Sequence, residues 1–222
     1  MNPIKKISQT LIRPFVQRYI SKERDYKFGE IKLKILPGVF HPAFFFSTKF
    51  LLKHLEQFDL KEKKIFELGA GSGLISFTAE KQGAVVTASD LSEVAIKGLH
   101  LNKEKLHSKI TITKSDLFDQ IEVQQFDFII INPPYFAKNP TSDSELAWYC
   151  GEHFEYFEKL FSQLNSFVVP SVEIIMILSE ECDILTIEKI AAAHGFFLKE
   201  TNRKKFWWEW NFIFEIRAIT NP

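Results

Sequence analysis

From residue 63 onward, short apolar segments of strand length alternate with longer segments of helical periodicity. The second, fourth and fifth of the predicted strands are almost continuous apolar runs, which is typical of parallel strands that helices cover on both faces. This alternation predicts a doubly wound α/β sheet, because a crossover helix between parallel strands packs back onto the sheet. The predicted strands span residues 63–68, 84–89, 109–113, 126–131, 172–178, 196–201 and 208–218, and the predicted helices span residues 73–82, 92–106, 153–167 and 183–194.

The residues before this alternation are predicted to form a separate unit. We expect residues 1–60 to be an N-terminal extension that packs on a main domain of residues 61–222. Apolar residues at helical spacing predict one helix face over residues 4–19. Alternating polar and apolar residues over 28–35 predict a half-buried strand, and a helix is predicted to follow Ser47.

The composition narrows the class of protein. The chain has 222 residues with 28 basic and 28 acidic side chains, which argues against a uniformly basic nucleic-acid binder or a polybasic membrane binder. No apolar run approaches the roughly 18 residues of a membrane span, and the chain shows no signal-peptide pattern. The two cysteines, Cys150 and Cys182, form no C-x-x-C pair. We therefore expect a cytoplasmic protein with neither a disulfide framework nor a metal site.

A glycine-rich turn joins the first predicted strand of the main domain to its helix. Three of the nine glycines of the chain fall within residues 69–73, directly after Glu67 and Leu68. Glycines at such a turn allow positive φ and let a ligand touch the backbone, and the following helix offers free N–H groups. The G-x-G-x-G spacing differs from the dinucleotide fingerprint and from a P-loop. The turn is either a ligand cradle or only a tight strand-to-helix connection.

Two aspartates follow predicted strands, at the edge where parallel sheets bind ligands. Asp90 ends the second strand, and its carboxylate suits the hydroxyls of an adenosine ribose. The alternative for Asp90 is a role at the start of the helix near Ser92. Asp116 follows the third strand, where its carboxylate can accept an adenine amino proton while the next backbone N–H donates to the ring. The alternative for Asp116 is a turn-forming aspartate.

The tetrad Asn132-Pro133-Pro134-Tyr135 follows the buried fourth strand. Its two prolines remove N–H donors and keep the chain extended. The Asn132 side chain and the Pro133 carbonyl can then act as paired acceptors for an –NH₂ group, and Tyr135 can stack on the planar group that carries this nitrogen. The alternative is a proline-rich end to a strand, with Tyr135 in the core.

In this order and at these strand ends, residues 67–73, Asp90, Asp116 and the tetrad resemble class I S-adenosylmethionine-dependent methyltransferases. More narrowly, they are similar to the N-methyltransferases with an Asn-Pro-Pro-Tyr motif, which include the release-factor glutamine methyltransferases and the small-domain ribosomal or transfer RNA methyltransferases. The resemblance covers about residues 37–219. It implies a Rossmann-like, seven-stranded, mostly parallel sheet with an antiparallel last strand, here with a short N-terminal helix and strand extension.

The resemblance also implies the site residues. Those implied to bind S-adenosylmethionine are Glu67, Gly69, Ala70, Gly71, Gly73, Asp90, Leu91, Asp116, Leu117 and Asn132. Glu67, Gly69 and Gly71 would line the methionine end of this cofactor. Asp90 would bind the ribose, and Asp116 with Leu117 the adenine. Those implied to hold the acceptor amine are Asn132, Pro133, Pro134 and Tyr135.

Residues 38–48 depart from the pattern of the glutamine methyltransferases. Bacterial members typically carry Pro-Arg-x-x-Thr-Glu in this cofactor-covering segment, whereas this chain has Pro42 and Thr48 without the Arg or the Glu. The chain also lacks room for their N-terminal helical domain, which argues against release-factor methylation. The three phenylalanines at residues 44–46 either close over the cofactor or simply begin a hydrophobic helix.

The expected function is methyl transfer from S-adenosylmethionine to an exocyclic or amide nitrogen. An RNA base is the preferred acceptor and a protein glutamine the next, and adenine N6, guanine N2 and a glutamine amide all present –NH₂ on a planar group. The alternative is a non-catalytic adenosine-cofactor-binding module or assembly factor that kept the fold.

Two further features bear on the acceptor. Residues 1–34 hold nine Lys/Arg and three Asp/Glu, a net charge of +6, which is typical of a basic arm for RNA and equally of a solvated amphipathic helix. In the closing hairpin Trp207 and Trp208 are adjacent, so on a strand they point to opposite faces and one of them can be exposed.

Overall fold

The structure is a computed structural model that describes residues 21–43, 46–207 and 209–219. None of the helices in these ranges is both long enough and apolar enough to span a membrane. In chain order the elements are β1 (Arg24–Phe28), β2 (Ile31–Ile35), α1 (Phe46–Leu55), β3 (Lys64–Leu68), α2 (Leu74–Lys81), β4 (Val85–Asp90), α3 (Glu93–Leu106), β5 (Thr111–Lys114), β6 (Phe128–Ile131), α4 (Glu155–Leu164), β7 (Glu173–Ser179), α5 (Ile184–Ala193), β8 (Phe196–Phe206) and β9 (Glu209–Ala218), with single 3-10 turns at Asp143–Glu145 and Asn165–Phe167.

A seven-stranded sheet forms the centre of the molecule, in the order β5-β4-β3-β6-β7-β9-β8. The strands from β5 to β7 pair in parallel, while β9 is antiparallel to both β7 and β8. The predicted doubly wound, mostly parallel sheet with an antiparallel last strand is thereby confirmed. All parallel strands end at one edge of the sheet, which we call the carboxyl edge.

Alternate residues of β6 enter two hydrophobic cores on opposite faces of the sheet. Phe128 and Ile130 pack in the core that includes residues of α1, α2 and α3. Ile129 and Ile131 pack in the core that includes residues of α4 and α5. All four side chains are buried. This two-sided burial explains the continuous apolar run, because neither face of the strand meets water.

Two predicted strands need correction. The half-buried strand predicted over residues 28–35 is confirmed only for Ile31–Ile35, where β2 shows the expected alternating burial. Phe28 belongs to β1, which forms an antiparallel hairpin with β2 that turns at Gly29 with a φ of 55°. The strand predicted to end at residue 201 continues as β8 to Phe206. Residues 202–205 are polar and show no apolar alternation, yet β9 supplies their backbone hydrogen bonds. The helix predicted over residues 4–19 lies outside the described residues.

The described part of the N-terminal extension is joined to the main domain by a buried asparagine. Asn102 of α3 is almost completely buried. Its Oδ1 accepts from the Lys34 N–H at 2.7 Å, and its Nδ2 donates to the Lys34 carbonyl at 2.9 Å. One side chain therefore satisfies both backbone groups of a residue in β2, which fixes the hairpin on α3. The division of the chain at residue 60 stays a prediction.

We expect Asn102→Ala to lower the free energy of unfolding by about 2 kcal/mol, because it leaves two partly buried backbone groups without partners. Urea unfolding followed by far-UV circular dichroism measures this loss. Gln124→Ala, on an exposed loop, is the control and should change the stability by less than about 0.5 kcal/mol. Equal stabilities of the two variants would show that the Asn102 bonds do not hold the extension.

Candidate active site

A cavity of about 400 Å³ opens at the carboxyl edge of the sheet. Its walls come from the segments that follow β3, β4, β5 and β6, together with residues 38–40 and parts of α4. Of the predicted site residues, those that line the cavity are Glu67, Gly69, Ala70, Gly71, Asp90, Leu91, Asp116, Leu117, Asn132, Pro133, Pro134 and Tyr135. Residues from four separate strand ends thus meet around one space, as expected for a doubly wound sheet.

Gly73 is the one predicted site residue that does not line the cavity. It precedes the first residue of α2 and has a φ of 75°. A Cβ at this position would lie 2.5 Å from Leu99 Cδ2 and 2.7 Å from Phe77 Cε2, whereas a Cβ at Gly69 or Gly71 would meet nothing within 4 Å. Close packing of α2 against α3 therefore requires a glycine at position 73, independently of any ligand.

Glu67 lies at the end of β3 with its carboxylate buried. Its Oε2 accepts from the Ser76 N–H at 2.8 Å and from the Ser76 hydroxyl, so the acid joins β3 to α2. Burial raises the pKa of the Glu67 carboxyl from its ordinary value of 4.5 to about 8. The carboxyl is consequently protonated near neutral pH unless a positive charge is placed beside it.

The Asp90 carboxylate bridges two neighbouring segments. Its Oδ2 accepts from the Gly71 N–H at 2.8 Å, and its Oδ1 accepts from the Ser92 N–H at 2.9 Å. The helix cap itself is Ser92, whose side chain accepts from the Ala95 N–H. Burial raises the pKa of Asp90 in spite of these hydrogen bonds. Asp90 therefore ties the glycine turn to the start of α3 and faces the cavity at the same time.

Asp116 and Leu117 form the wall that follows β5. The Asp116 Oδ2 pairs with the Lys159 Nζ at 2.6 Å, and the Asp116 side chain is 47% exposed. Leu117 adopts a φ of 52°, a left-handed conformation that is uncommon for a residue with a side chain. Such strain persists where the surrounding structure imposes it, which is frequent at ligand sites.

The acceptor tetrad begins immediately after β6 and is held from two sides. The Tyr135 hydroxyl donates to Asn132 Oδ1 at 2.9 Å. The Asn132 Nδ2 donates to Ser47 Oγ at 3.4 Å and to Thr48 Oγ1 at 3.5 Å. Burial raises the pKa of the Tyr135 phenol, so its hydroxyl stays a donor. The amide of Asn132 is thereby fixed with its nitrogen toward α1, and its oxygen keeps a second lone pair for another donor.

The loop after the tetrad supplies site residues that the sequence analysis missed. Asp143 accepts from Ser92 Oγ at 2.5 Å and from the Glu93 N–H at 3.3 Å, which anchors the loop on α3. Asp143 stands in a short polar segment with no periodicity, so no sequence signal distinguished it. Lys159 of α4 reaches the cavity beside Tyr156. The only sequence signal that could have indicated Tyr156 and Lys159 is their spacing of three residues, which places both on one helix face.

The aromatic residues around the cavity differ from those expected. Phe40 lines the cavity and contacts Trp148, with ring centroids 5.4 Å apart. Trp148 and Tyr149 also line it. Phe46 does not line the cavity but stacks on Phe206 at 4.9 Å. The other two phenylalanines of residues 44–46 lie outside the described residues.

Comparison with known proteins gives a family match. The model of the family described as "Methyltransferase small domain" matches residues 30–149, which is more than half of the chain. A putative protein N5-glutamine methyltransferase of Methanocaldococcus jannaschii is 39% identical over 116 residues, covering 52% of this chain and 55% of that protein. The chain therefore spans about half the length of this relative.

Solved structures share the fold. A methyltransferase from Pyrococcus furiosus aligns with a TM-score of 0.59 at 22% identity, over 94% of this chain and 98% of that chain. A 16S rRNA N2 methyltransferase from T. thermophilus, solved in complex with AdoMet and guanosine, aligns with a TM-score of 0.63 at 16% identity, over 88% of this chain and 50% of that chain.

We expect Gly73→Ala to destabilise the protein through two effects. The left-handed backbone costs about 1 kcal/mol for alanine, and the crowded methyl group adds about 1–3 kcal/mol of overpacking. Gly195→Ala is the matched control, since Gly195 has a φ of 84° with open space around its Cβ position. Urea unfolding of both variants separates the two effects. A loss no larger for Gly73→Ala than for Gly195→Ala would contradict the packing role.

The buried Glu67 also predicts a pH dependence. The folded protein holds a proton that the unfolded chain releases, so this residue's contribution to the free energy of unfolding falls as the pH rises from 4.5 to about 8. The limiting slope is about 1.4 kcal/mol per pH unit. Glu67→Gln keeps an acceptor for Ser76 but removes the titration. We expect the stability of wild type relative to Glu67→Gln, measured by urea unfolding, to decline across this interval, and a constant difference would rule out the raised pKa.

Proposed function

Because this chain belongs to the small-domain methyltransferase family, we propose that it is an S-adenosylmethionine-dependent N-methyltransferase. Its proposed acceptor is an –NH₂ group on a planar carrier. The observation that carries the proposal is the fixed amide of Asn132, which stands beside the glycine turn and Asp90 in a single cavity.

The hydrogen-bond acceptors that line the cavity fit S-adenosylmethionine. This cofactor carries two hydroxyls on its ribose, an amino group on its adenine, and positive charges on its sulfonium and amino acid nitrogen. The carboxyl groups of Glu67, Asp90 and Asp116, each at or just after the end of a different strand, are among those that line the cavity. Carboxylates accept from hydroxyls and amines and compensate positive charge. The volume of about 400 Å³ lies within the range of small-molecule sites.

We assign the parts of the cofactor to the walls of the cavity in the order of the strands. Glu67, with the turn that contains Gly69, Ala70 and Gly71, holds the methionine end. Asp90 and Leu91 hold the ribose, and Asp116 with Leu117 holds the adenine. Gly73 does not contact the cofactor in this assignment. Its lack of a side chain lets Leu99 of α3 pack against the start of α2. A positive charge near Glu67 lowers the pKa of that carboxyl toward its ordinary value, so binding of the cofactor releases a proton there.

The bound cofactor supplies a methyl group on a sulfonium, which is already a good leaving centre. The protein therefore needs no strong acid or base, and alignment with exclusion of water provides most of the rate. Asn132 Oδ1 and the Pro133 carbonyl accept from the two N–H bonds of the acceptor, which aims the nitrogen lone pair into the cavity. The same two oxygens stabilise the positive charge that grows on the nitrogen during transfer.

Two classes of acceptor fit this arrangement, a glutamine amide and the amine of a nucleic-acid base. The relative named as an N5-glutamine methyltransferase and the rRNA N2 methyltransferase are both similar to this chain. The acceptors in these two names are a glutamine amide and an N2 amine, and both are –NH₂ groups on planar carriers. Tyr135, which lines the cavity beside Asn132, stacks on the planar carrier in either case.

We expect Asn132→Ala to lower the rate of methyl transfer by about 10²-fold or more, because it removes one of the two acceptors for the growing charge. The assay measures transfer of labelled methyl groups from S-adenosylmethionine to an extract of cells. Isothermal calorimetry should show that the variant still binds the cofactor. Asn165→Ala, an exposed asparagine after α4, is the matched control and should keep full activity.

Two outcomes would contradict the proposal. Undiminished transfer by Asn132→Ala would remove the tetrad from the reaction. Binding of S-adenosylmethionine without transfer to any component of the extract would favour a non-catalytic binding module. Asp90→Asn tests the cofactor site separately, and it should weaken binding of S-adenosylmethionine by about tenfold or more through loss of a charge-assisted acceptor.

A further inference from the structure

The hairpin of β8 and β9 continues a short way past the end of β7. The last residue pair between β7 and β9 is Ser179 with Asn211. Past this pair the Glu180 N–H still donates to the Trp210 carbonyl at 2.9 Å, and beyond Trp210 the pair of Phe206 with Glu209 bonds β8 to β9 alone. We call residues 204–210 the hairpin tip.

The hairpin tip lies on the acceptor side of the carboxyl edge. Strand β8 runs in the same direction as β7, because both are antiparallel to β9, and it therefore ends at the carboxyl edge. The tetrad follows β6, on the side of the sheet that continues to β7, β9 and β8. Asp90 and Asp116 follow β4 and β5 on the opposite side. A substrate at Asn132 is thus approached from the hairpin side.

A stacked pair of rings connects the tip directly to the acceptor asparagine. The Phe206 and Phe46 rings lie 4.9 Å apart with an interplanar angle of 6°. Phe46 is followed in α1 by Ser47 and Thr48, whose hydroxyls accept from the Asn132 amide. Phe46, which contacts the tip, is therefore the direct neighbour in α1 of Ser47, which bonds to Asn132.

The tip exposes cationic groups together with an indole. Trp207 is 73% exposed at the turn of the hairpin. Lys204 and Lys205 are exposed, and within the described residues neither takes part in an ion pair with an acidic group. Their ammonium groups lie 5.1 Å from the Phe206 ring centroid and 5.7 Å from that of Trp210. Basic groups interleaved with exposed aromatic rings are the pattern of single-strand nucleic-acid binding.

The cavity has the opposite charge. Its walls include the acidic residues Glu67, Asp90, Asp116, Asp143 and Glu155, and the one basic residue Lys159, which pairs with Asp116. A phosphodiester backbone is repelled by such walls, so a polyanion can insert a base only if its phosphates are bound outside. The hairpin tip carries Lys204 and Lys205 against one acidic residue, Glu209, so its net charge is positive. Its Phe206 contacts Phe46 of α1, the helix whose hydroxyls bond Asn132.

We propose that the hairpin tip docks single-stranded RNA as the substrate of the enzyme. This inference rests on the proposed N-methyltransferase function and names its acceptor as a base amine. The Trp207 indole stacks on one base, and the ammonium groups of Lys204 and Lys205 bind backbone phosphates. A nucleotide further along the strand then presents its exocyclic –NH₂ to Asn132. A glutamine-bearing peptide requires neither a stacking platform nor paired phosphate contacts.

The test is fluorescence anisotropy of a labelled single-stranded RNA of about 12 nucleotides with the full chain at low salt. We expect Trp207→Ala to weaken binding about fivefold or more through loss of one stacked base. The double variant Lys204→Glu/Lys205→Glu should weaken it further and reduce the slope of log Kd against log salt by about 1.

Matched controls isolate the tip. Leu185→Ala removes a side chain that is 70% exposed on α5, and Lys97→Glu/Lys189→Glu makes the same charge change at exposed lysines of α3 and α5. Both controls should bind the RNA as wild type does. Thermal melting of every variant confirms that the fold is retained, which is expected because Trp207, Lys204 and Lys205 are exposed.

Three outcomes would overturn the inference: no binding of the RNA by wild type, equal losses in the tip variants and the controls, or tip-dependent binding of an acidic glutamine peptide in preference to RNA. Calorimetry with S-adenosylmethionine on the same proteins distinguishes failure of the docking surface from failure of the proposed function. Cofactor binding without RNA binding refutes only the docking surface, whereas RNA binding without cofactor binding refutes the proposed function.

Discussion

The two hydrogen bonds that the Asp90 carboxylate accepts, from the N–H groups of Gly71 and Ser92, join the turn after β3 to the start of α3. Ser92 in turn donates its hydroxyl to Asp143, which anchors the loop that follows the tetrad. That loop bonds back through the Trp148 carbonyl, which accepts the backbone N–H of Tyr135. A continuous chain of contacts therefore runs from the proposed cofactor end of the cavity to its acceptor end, so disturbing Asp90 affects both.

The same arrangement concentrates negative charge in a poorly hydrated place. Burial raises the pKa of both Glu67 and Asp90, because ionising these carboxyls without a ligand costs free energy. A cationic ligand relieves that cost, whereas a polyanion increases it. The acidic cavity thus suits a positively charged sulfonium, whereas the basic residues of the hairpin tip suit a phosphate backbone.

The sequence predicted those elements whose conformation follows from neighbouring residues or from a periodic apolar pattern. The apolar run of β6 and the glycine turn were recognisable because burial on two faces and positive φ leave direct marks on composition. Asp143 and Lys159 were missed because their roles arise from contacts with residues about fifty and forty positions away. The extension of β8 to Phe206 was missed because its polar residues take their strand conformation from pairing with β9. Gly73 was predicted to bind the cofactor, but it does not line the cavity, and the Leu99 and Phe77 side chains occupy the space that a Cβ would need there.

The overhang of β8 and β9 has a consequence for the evolution of the chain. Beyond Trp210, whose carbonyl still accepts from the Glu180 N–H, the two strands bond only to each other, so residue pairs can be inserted or deleted there without changing the register of the central sheet. Each such pair displaces the turn by about 3.3 Å. If RNA docks on the hairpin tip as proposed, the length of this overhang sets the spacing between the docked base and the methylated one.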